Sequence, residues 1–191
     1  MSKEPVRFEC QRCGACCKKD NIVITLNGRD IVRIAQGFNL GPEEVLKVVD
    51  FLILADGLKR PEGLTGIPAL ETERGPAFLA LRKMKNGRCV FLEDNLCMIH
   101  AVRPSVCRSF PFVFRKDSDG TYWGLSAQKD ICPGIGQGPI VDPSELSTLA
   151  ENILVDNDLY VEFAKEYNRG EATPTAERLI RAILADTRFT A

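Results

Sequence analysis

The chain carries close to its start the stretch Cys10-Gln11-Arg12-Cys13-Gly14-Ala15-Cys16-Cys17, which places four thiols within eight residues. Thiols spaced at two-residue intervals let one turn of backbone aim several sulfurs at a common point, as a soft metal ion or an iron–sulfur cluster requires. The alternative interpretations are a disulfide framework and inert buried thiols. The close spacing favours metal binding over both.

Four more cysteines follow much later in the chain, at Cys89, Cys97, Cys107 and Cys132. An Asn86-Gly87 pair between two β-prone runs predicts a hairpin, with Cys89 just past its turn. Residues 93–95 predict a second turn within the seven residues that separate Cys89 from Cys97. We therefore expect these two sulfurs to come together.

Prolines and glycines shape the chain around the last two cysteines. Pro104 and Pro111 bound a short predicted helix that carries Cys107. Residues 112–114 and 122–125 predict a further hairpin, and Cys132 then precedes a Pro-Gly pair that frees the backbone to wrap a metal. We expect all eight thiols to be metal ligands: Cys10, Cys13, Cys16, Cys17, Cys89, Cys97, Cys107 and Cys132.

Composition narrows the class of protein. With 191 residues and 45% hydrophobic content, the chain can bury a core without disulfide staples. Its first residues interleave charges and form no apolar signal segment, so a reducing cytoplasmic location is expected, where thiols stay available to a metal. The net charge of −1 and the lack of like-charge blocks argue against nucleic acid or a membrane as partner. The expected partner is the metal ion that the thiols would bind, and any protein partner is unknown.

The remaining pattern predicts an α+β fold, in which small irregular β hairpins and loops surround a cysteine-ligated metal centre with helices flanking it. Residues 22–26 predict a strand or an extended entry into the core. Asn27 or Asp30 caps a helix that includes Phe38 and is stopped by Gly37 with Asn39-Leu40-Gly41. A second helix begins at Pro42 and carries apolar residues as far as Ile53. Residues 56–76 are rich in Gly and Pro and predict a long loop, either featureless or a flap over the site.

The cysteines stop before the C-terminal part of the chain. Helices are predicted from Pro143 to Gly170 and from residue 173 onward, which suggests a metal-binding domain over 1–140 and a helical extension over 141–191 packed on it. Gly134-Ile135-Gly136-Gln137-Gly138 superficially resembles a nucleotide loop. It precedes Pro139 and not a helix, so a flexible connector is predicted there.

The donor set leaves the metal open. A C-x2-C-x2-C run supplies three thiolates to a [4Fe–4S] cluster in bacterial ferredoxins, so Cys10, Cys13 and Cys16 with a distant thiol make one hypothesis. The other divides the eight thiols between two zinc sites of four ligands each. Cys16 and Cys17 are expected to point apart, so that one of them completes a site with distant cysteines.

Side chains near the thiols have lesser expected roles. Four thiolates on Zn²⁺ carry a net charge of −2, which basic residues are expected to offset: Arg12, Lys18, Lys19, Arg88, Arg103 and Arg108. His100 is the only histidine and follows Cys97 at a ligand-like spacing, but we expect it to be packed or hydrogen-bonded. A full thiol set with one histidine also argues against a hydrolytic zinc site.

These motifs together resemble those of the YkgJ-type cysteine-cluster family. The resemblance covers about residues 7–135 and rests on the CxxCxxCC run, the Cys89-x7-Cys97 pair and Arg103-Pro104-x2-Cys107-Arg108-x-Phe110-Pro111. It implies a zinc- or iron-chelating domain, sometimes labelled an iron–sulfur protein or oxidoreductase. One relative, the flagellin lysine N-methylase, is an enzyme, so a protein-lysine N-methyltransferase-like activity is an alternative, and enzymatic activity stays open.

Overall fold

A computed structural model describes residues 5–55, 60, 64, 66–117, 120–127, 129–170 and 172–190. Its 42% helix and 19% strand, with small antiparallel two-stranded sheets, confirm the α+β class. The helices are α1 (Ala15–Lys18), α2 (Gly28–Phe38), α3 (Pro42–Val48), α4 (Ser105–Ser109), α5 (Pro143–Arg169), α6 (Ala176–Ala185) and α7 (Thr187–Thr190). A 3₁₀ turn spans His100–Val102.

The strands pair two by two. They are β1 (Arg7–Phe8) with β8 (Ile135–Ile140), β2 (Val49–Leu52) with β3 (Phe78–Leu81), β4 (Leu92–Glu93) with β5 (Leu96–Cys97), and β6 (Phe112–Asp117) with β7 (Gly120–Leu125). The two predicted hairpins and the turn predicted at residues 93–95 are confirmed. The first hairpin closes with the Met84 N–H donating to Arg88 O at 2.8 Å, the second is β6 with β7, and the turn passes through Asp94 and Asn95, both at positive φ.

Helix α2 is the centre of the fold, and its ends follow the sequence prediction. Asn27 caps it in a reciprocal capping box with Asp30, and Asn39 ends it in the left-handed conformation. The segment before it is extended, as predicted, since the Leu26 N–H donates to Leu79 O at 2.9 Å and the Leu81 N–H to Ile24 O at 2.8 Å. These bonds attach the segment that follows the first cysteines to β3.

One apolar core joins α2 to the C-terminal helices. Ile31 and Val32 of α2 lie in the same buried cluster as Tyr160 of α5, Ile180 of α6 and Phe189 of α7. The aromatic rings of α5 and α7 pack edge to face, with Phe163 and Phe189 centroids 5.4 Å apart. Cys89 belongs to this cluster, so the thiols border the main core of the protein.

Three sequence predictions need correction or limits. The second helix ends at Val48, because the following residues form β2, whose ladder with β3 pairs Val49 with Leu81; short β-branched apolar runs suit helix and strand alike. The glycine-rich stretch after Cys132 is strand β8 and not a connector, since it pairs with β1. The predicted loop 56–76 falls partly outside the described residues, and its end folds into a turn in which Leu70 pairs with Ala77.

Candidate metal centre

Gly14 fixes the geometry of the N-terminal thiol run. It adopts a left-handed φ of 67°, and its carbonyl accepts the N–H groups of Cys17 and Lys18 to start α1. A Cβ at this position would lie 2.9 Å from Asn95 O and from Leu92 Cδ1. The run therefore packs directly on the β4–β5 turn, which delivers Cys97.

Cys16 and Cys17 face each other, with their Sγ atoms 3.9 Å apart. The expectation that these neighbours point apart is wrong, because both lie in α1, where consecutive side chains are about 100° apart around the axis and do not alternate between opposite faces as in a strand. The hydrogen bond from Cys17 lowers the pKa of Cys16 to about 6, while the pKa of Cys17 rises because its proton is held between the two sulfurs and because it is buried. The Cys16 thiol therefore loses its proton more readily than an ordinary cysteine does, which leaves one negative charge on the pair.

Cys89 is tied to this pair through the backbone. Its N–H donates to Cys17 O at 2.8 Å, and Lys83 lies opposite it in an antiparallel bridge. The side chain is 3% exposed, and burial raises the pKa of its thiol. The predicted hairpin thus carries Cys89 to the first cysteine cluster.

Cys107 is held by a buried carboxylate on α2. Asp30 Oδ1 accepts the Ser105 N–H at 2.8 Å and the Ser105 hydroxyl at 2.9 Å, which attaches the start of α4 to α2. Arg33 forms an ion pair with the same carboxylate. Burial raises the pKa of Asp30, against the opposing effects of Arg33 and Ser105. The sequence predicted Asp30 only as a helix cap and did not reveal this second role.

Five thiols form one group, which we call the inner thiols: Cys16, Cys17, Cys89, Cys97 and Cys107. Cys89 lies in the core cluster, and Cys17, Cys97 and Cys107 pack against it. Burial raises the pKa of Cys97 and raises that of Cys107 well above its ordinary value, and the charges of neighbouring inner thiols raise both further. The five thiols are therefore close enough for the charge of one to act on the others.

The other three thiols, which we call the outer thiols, are Cys10, Cys13 and Cys132. Cys10 and Cys13 are exposed and Cys132 is half-buried. The Glu9 N–H donates to Gly134 O at 3.3 Å, so the pairing of β1 with β8 brings the turn at Cys132 to the N-terminal run. Burial raises the pKa of Cys132, and the charges of Cys16, Cys10 and Cys13 add to the effect.

The cations around the thiols differ from those expected. Lys83 acts on both Cys16 and Cys89, and its Nζ donates to Lys19 O at 2.8 Å. The hairpin register, which places Lys83 across from Cys89, was the signal in the sequence that could have revealed it. Of the expected cations, Arg103 acts on Cys97, whereas Arg108 acts on Asp156.

His100 lies beside Arg103, in agreement with the expected hydrogen-bonded histidine. An Arg103 Nη1 donor contacts its Nε2, so this ring nitrogen serves as an acceptor within the protein. Burial lowers the pKa of His100, and the charges of Arg103 and Arg12 lower it further. Because Nε2 accepts from Arg103, His100 supports Arg103 rather than offering this nitrogen to a metal.

The donor chemistry fits a soft cation. Every one of the eight cysteines is a free thiol, and the buried Nε atoms of Arg88 and Arg103 have no hydrogen-bond partner in the part of the chain that the structure describes. Unused guanidinium donors beside thiols suit a site that becomes negative when the thiols ionise. Within the described ranges, no three Cys, His, Asp or Glu side chains already converge closely enough to hold an ion.

No helix in the described ranges combines the length and apolar character that a bilayer span needs.

Comparison with known proteins agrees with this donor set. Neither the curated proteins nor the solved structures include a match to the chain. The CxxCxxCC family, whose description is "putative zinc- or iron-chelating domain", matches residues 9–133, well over half of the chain and all eight cysteines. The chain therefore belongs to the CxxCxxCC family.

Proposed function

We propose that this protein binds zinc or iron through the thiolates of its eight cysteines. The observation that carries the proposal is the assembly of cysteines from four separate parts of the sequence, on α1, the hairpin of residues 83–89, β5 and α4, around the Cys16–Cys17 pair. Thiols gathered in this way with no disulfide between them suit a soft ion. All eight cysteines are proposed ligands.

The chain's own groups supply the conditions for binding. Thiols must lose their protons to ligate, and the hydrogen bond from Cys17 lowers the pKa of Cys16, which favours loss of its proton. Lys83 and Arg103 then lie where the thiolate charge develops. A bound zinc ion would supply a fixed positive charge that holds these segments together, and iron would add redox chemistry.

An iron–sulfur cluster is the second candidate, because one observation favours it. Cys10, Cys13 and Cys16 repeat the spacing with which ferredoxins supply three thiolates to a [4Fe–4S] cluster. The separation of Cys16 and Cys17 argues the other way. Two thiolates on one tetrahedral zinc, each about 2.3 Å from the ion, lie roughly 3.8 Å apart. The observed 3.9 Å matches that distance.

Metal analysis of a Cys13→Ser variant tests the proposal. We expect less zinc or iron per chain than in the wild type, together with a lower Tm, because site formation and folding are coupled. The control is His100→Tyr, which should keep the wild-type metal content because His100 Nε2 is already an acceptor for Arg103. Unchanged metal content and unchanged melting of Cys13→Ser would contradict metal binding by the cysteine run.

A further inference from the structure

The eight thiols differ sharply in their surroundings, and the difference follows the two groups defined above. Four inner thiols lie in or against the main hydrophobic core, at Cys17, Cys89, Cys97 and Cys107. Two outer thiols, Cys10 and Cys13, are exposed on the segment between β1 and α1. A ligand in the core is shielded from water and from competing ligands, whereas an exposed ligand is open to both.

The two groups are also held by different parts of the backbone. The inner thiols are joined by the Cys89 N–H bond to Cys17 O and by the contact of Gly14 with the β4–β5 turn. The outer thiols depend on the short pairing of β1 with β8, where a Cβ on Gly134 would lie 2.3 Å from Glu9 O. Opening the pairing of β1 with β8 therefore breaks none of the backbone contacts that hold the inner thiols together.

The number of thiols in each group sets what each can do. Five inner thiols exceed the four ligands that close a tetrahedral shell, and the 3.9 Å between the Cys16 and Cys17 sulfurs suits two ligands on one ion. Three outer thiols leave the fourth position of a tetrahedral ion to water or to an incoming ligand. A closed and buried shell retains its ion, while an open and exposed one exchanges it.

We propose that the cysteines form two unlike metal sites: an inner, retained one in which Cys16 and Cys17 bind the same ion, and an outer, exchangeable one built from Cys10, Cys13 and Cys132. This division rests on the proposed function and goes beyond it by assigning each thiol to one of two sites. At the outer site, the open fourth position would accept an incoming thiolate or a small chelator. The outer site is then the route by which metal enters or leaves the protein.

Zinc release into an excess of a chromophoric chelator tests the division on the reduced, zinc-loaded full chain. We expect about two zinc ions per chain, released in a fast and a slow phase. Cys132→Ser should remove the fast phase alone. Cys16→Ser and Cys17→Ser should each remove the slow phase and leave the fast one.

Three results would overturn the division. They are a single release phase, loss of both phases in Cys132→Ser, and loss of the slow phase in only one of the two variants Cys16→Ser and Cys17→Ser. The last result would mean that the adjacent cysteines serve different ions. A wild-type chain that binds neither zinc nor iron would refute the proposed function itself, so the two failures are distinguishable.

Pulsed alkylation of the zinc-loaded wild type tests the division without any variant that could misfold. Mass spectrometry should find Cys10, Cys13 and Cys132 modified well before Cys17, Cys89 and Cys107. The unfolded, metal-free chain is the control, and all its cysteines should react at similar rates. Equal rates at inner and outer thiols in the zinc-loaded protein would contradict two unlike sites.

Discussion

At the scale of single residues, the thiols depend on a few side chains that are not thiols. Asp30 is 1% exposed and accepts donors from Asn27 and Ser105 while it pairs with Arg33. It links the start of α2 to the start of α4, which carries Cys107. A buried carboxylate with this many partners stabilises the fold only as long as each partner remains.

Replacing this carboxylate should destabilise the protein. We expect Asp30→Asn to lower the free energy of unfolding by about 2–3 kcal/mol, because an amide cannot accept all of these donors and leaves Arg33 without its partner. Chemical denaturation of the metal-free protein measures the effect. The matched control is Asp142→Asn on the exposed N-cap of α5, which should be near neutral because Asn caps as well as Asp. Equal effects of the two substitutions would show that the Asp30 carboxylate does not stabilise the link between α2 and α4.

Lys83 acts on two inner thiols, Cys16 and Cys89, and lies across the hairpin from Cys89. Lys83→Met should weaken zinc binding by about 10-fold, since the positive charge beside Cys16 and Cys89 is lost. Competition with a chelator of known affinity measures the change. Lys83→Arg should recover most of the affinity, and Lys85→Met on the exposed hairpin turn should have no effect. A loss that arginine does not restore would indicate packing rather than charge.

At the scale of elements, short strands and turns carry the cysteines, and much of this was readable from the sequence. Asn-Gly and proline signals marked the hairpin before Cys89 and the helix of Cys107, because turn chemistry is local. The strand β8 was missed, because its partner β1 is far away in the sequence and its glycines signal a loop. The orientation of Cys16 toward Cys17 was also missed, since residue spacing does not specify side-chain rotation.

The pairing of β1 with β8 should respond to a single methyl group. We expect Gly134→Ala to destabilise the protein by about 1–3 kcal/mol, because the added Cβ would meet Glu9 O at 2.3 Å. The variant should also bind the outer zinc more weakly, since the turn that carries Cys132 must move. Thermal melting and zinc release measure the two effects. Gly124→Ala is the control, because a Cβ there meets nothing within 4 Å. Identical behaviour of both variants would contradict the account of this turn.

At the scale of the whole molecule, the thiols and the C-terminal helices share one core. A Cβ on Gly28, at the start of α2, would lie 2.4 Å from the Phe189 ring of α7, which shows how closely the last helix packs. The sequence predicted helices at the end of the chain from proline, capping and periodicity. It did not reveal which face of α2 they cover, because that depends on contacts between distant segments. The division into 1–140 and 141–191 therefore stays a proposal.

Removing the C-terminal helices should expose this core. We expect a chain of residues 1–140 to aggregate or to lose its cooperative melting, because Ile31 and Val32 of α2 would lose the helices that bury them. Size-exclusion chromatography and calorimetry of the shortened chain measure the outcome. A folded, monomeric 1–140 chain with wild-type metal content would show that the helices are dispensable.

The central claim is that the clustered thiols hold a metal, and its most direct test is the metal and acid-labile sulfide content of the full chain purified without oxygen. The account predicts zinc or iron bound to the chain, with few thiols left free to react with a thiol reagent. Zinc without sulfide would match the two-ion arrangement, and iron with matching sulfide would favour a cluster on Cys10, Cys13 and Cys16. A chain with neither metal and with all eight thiols reactive would contradict the claim.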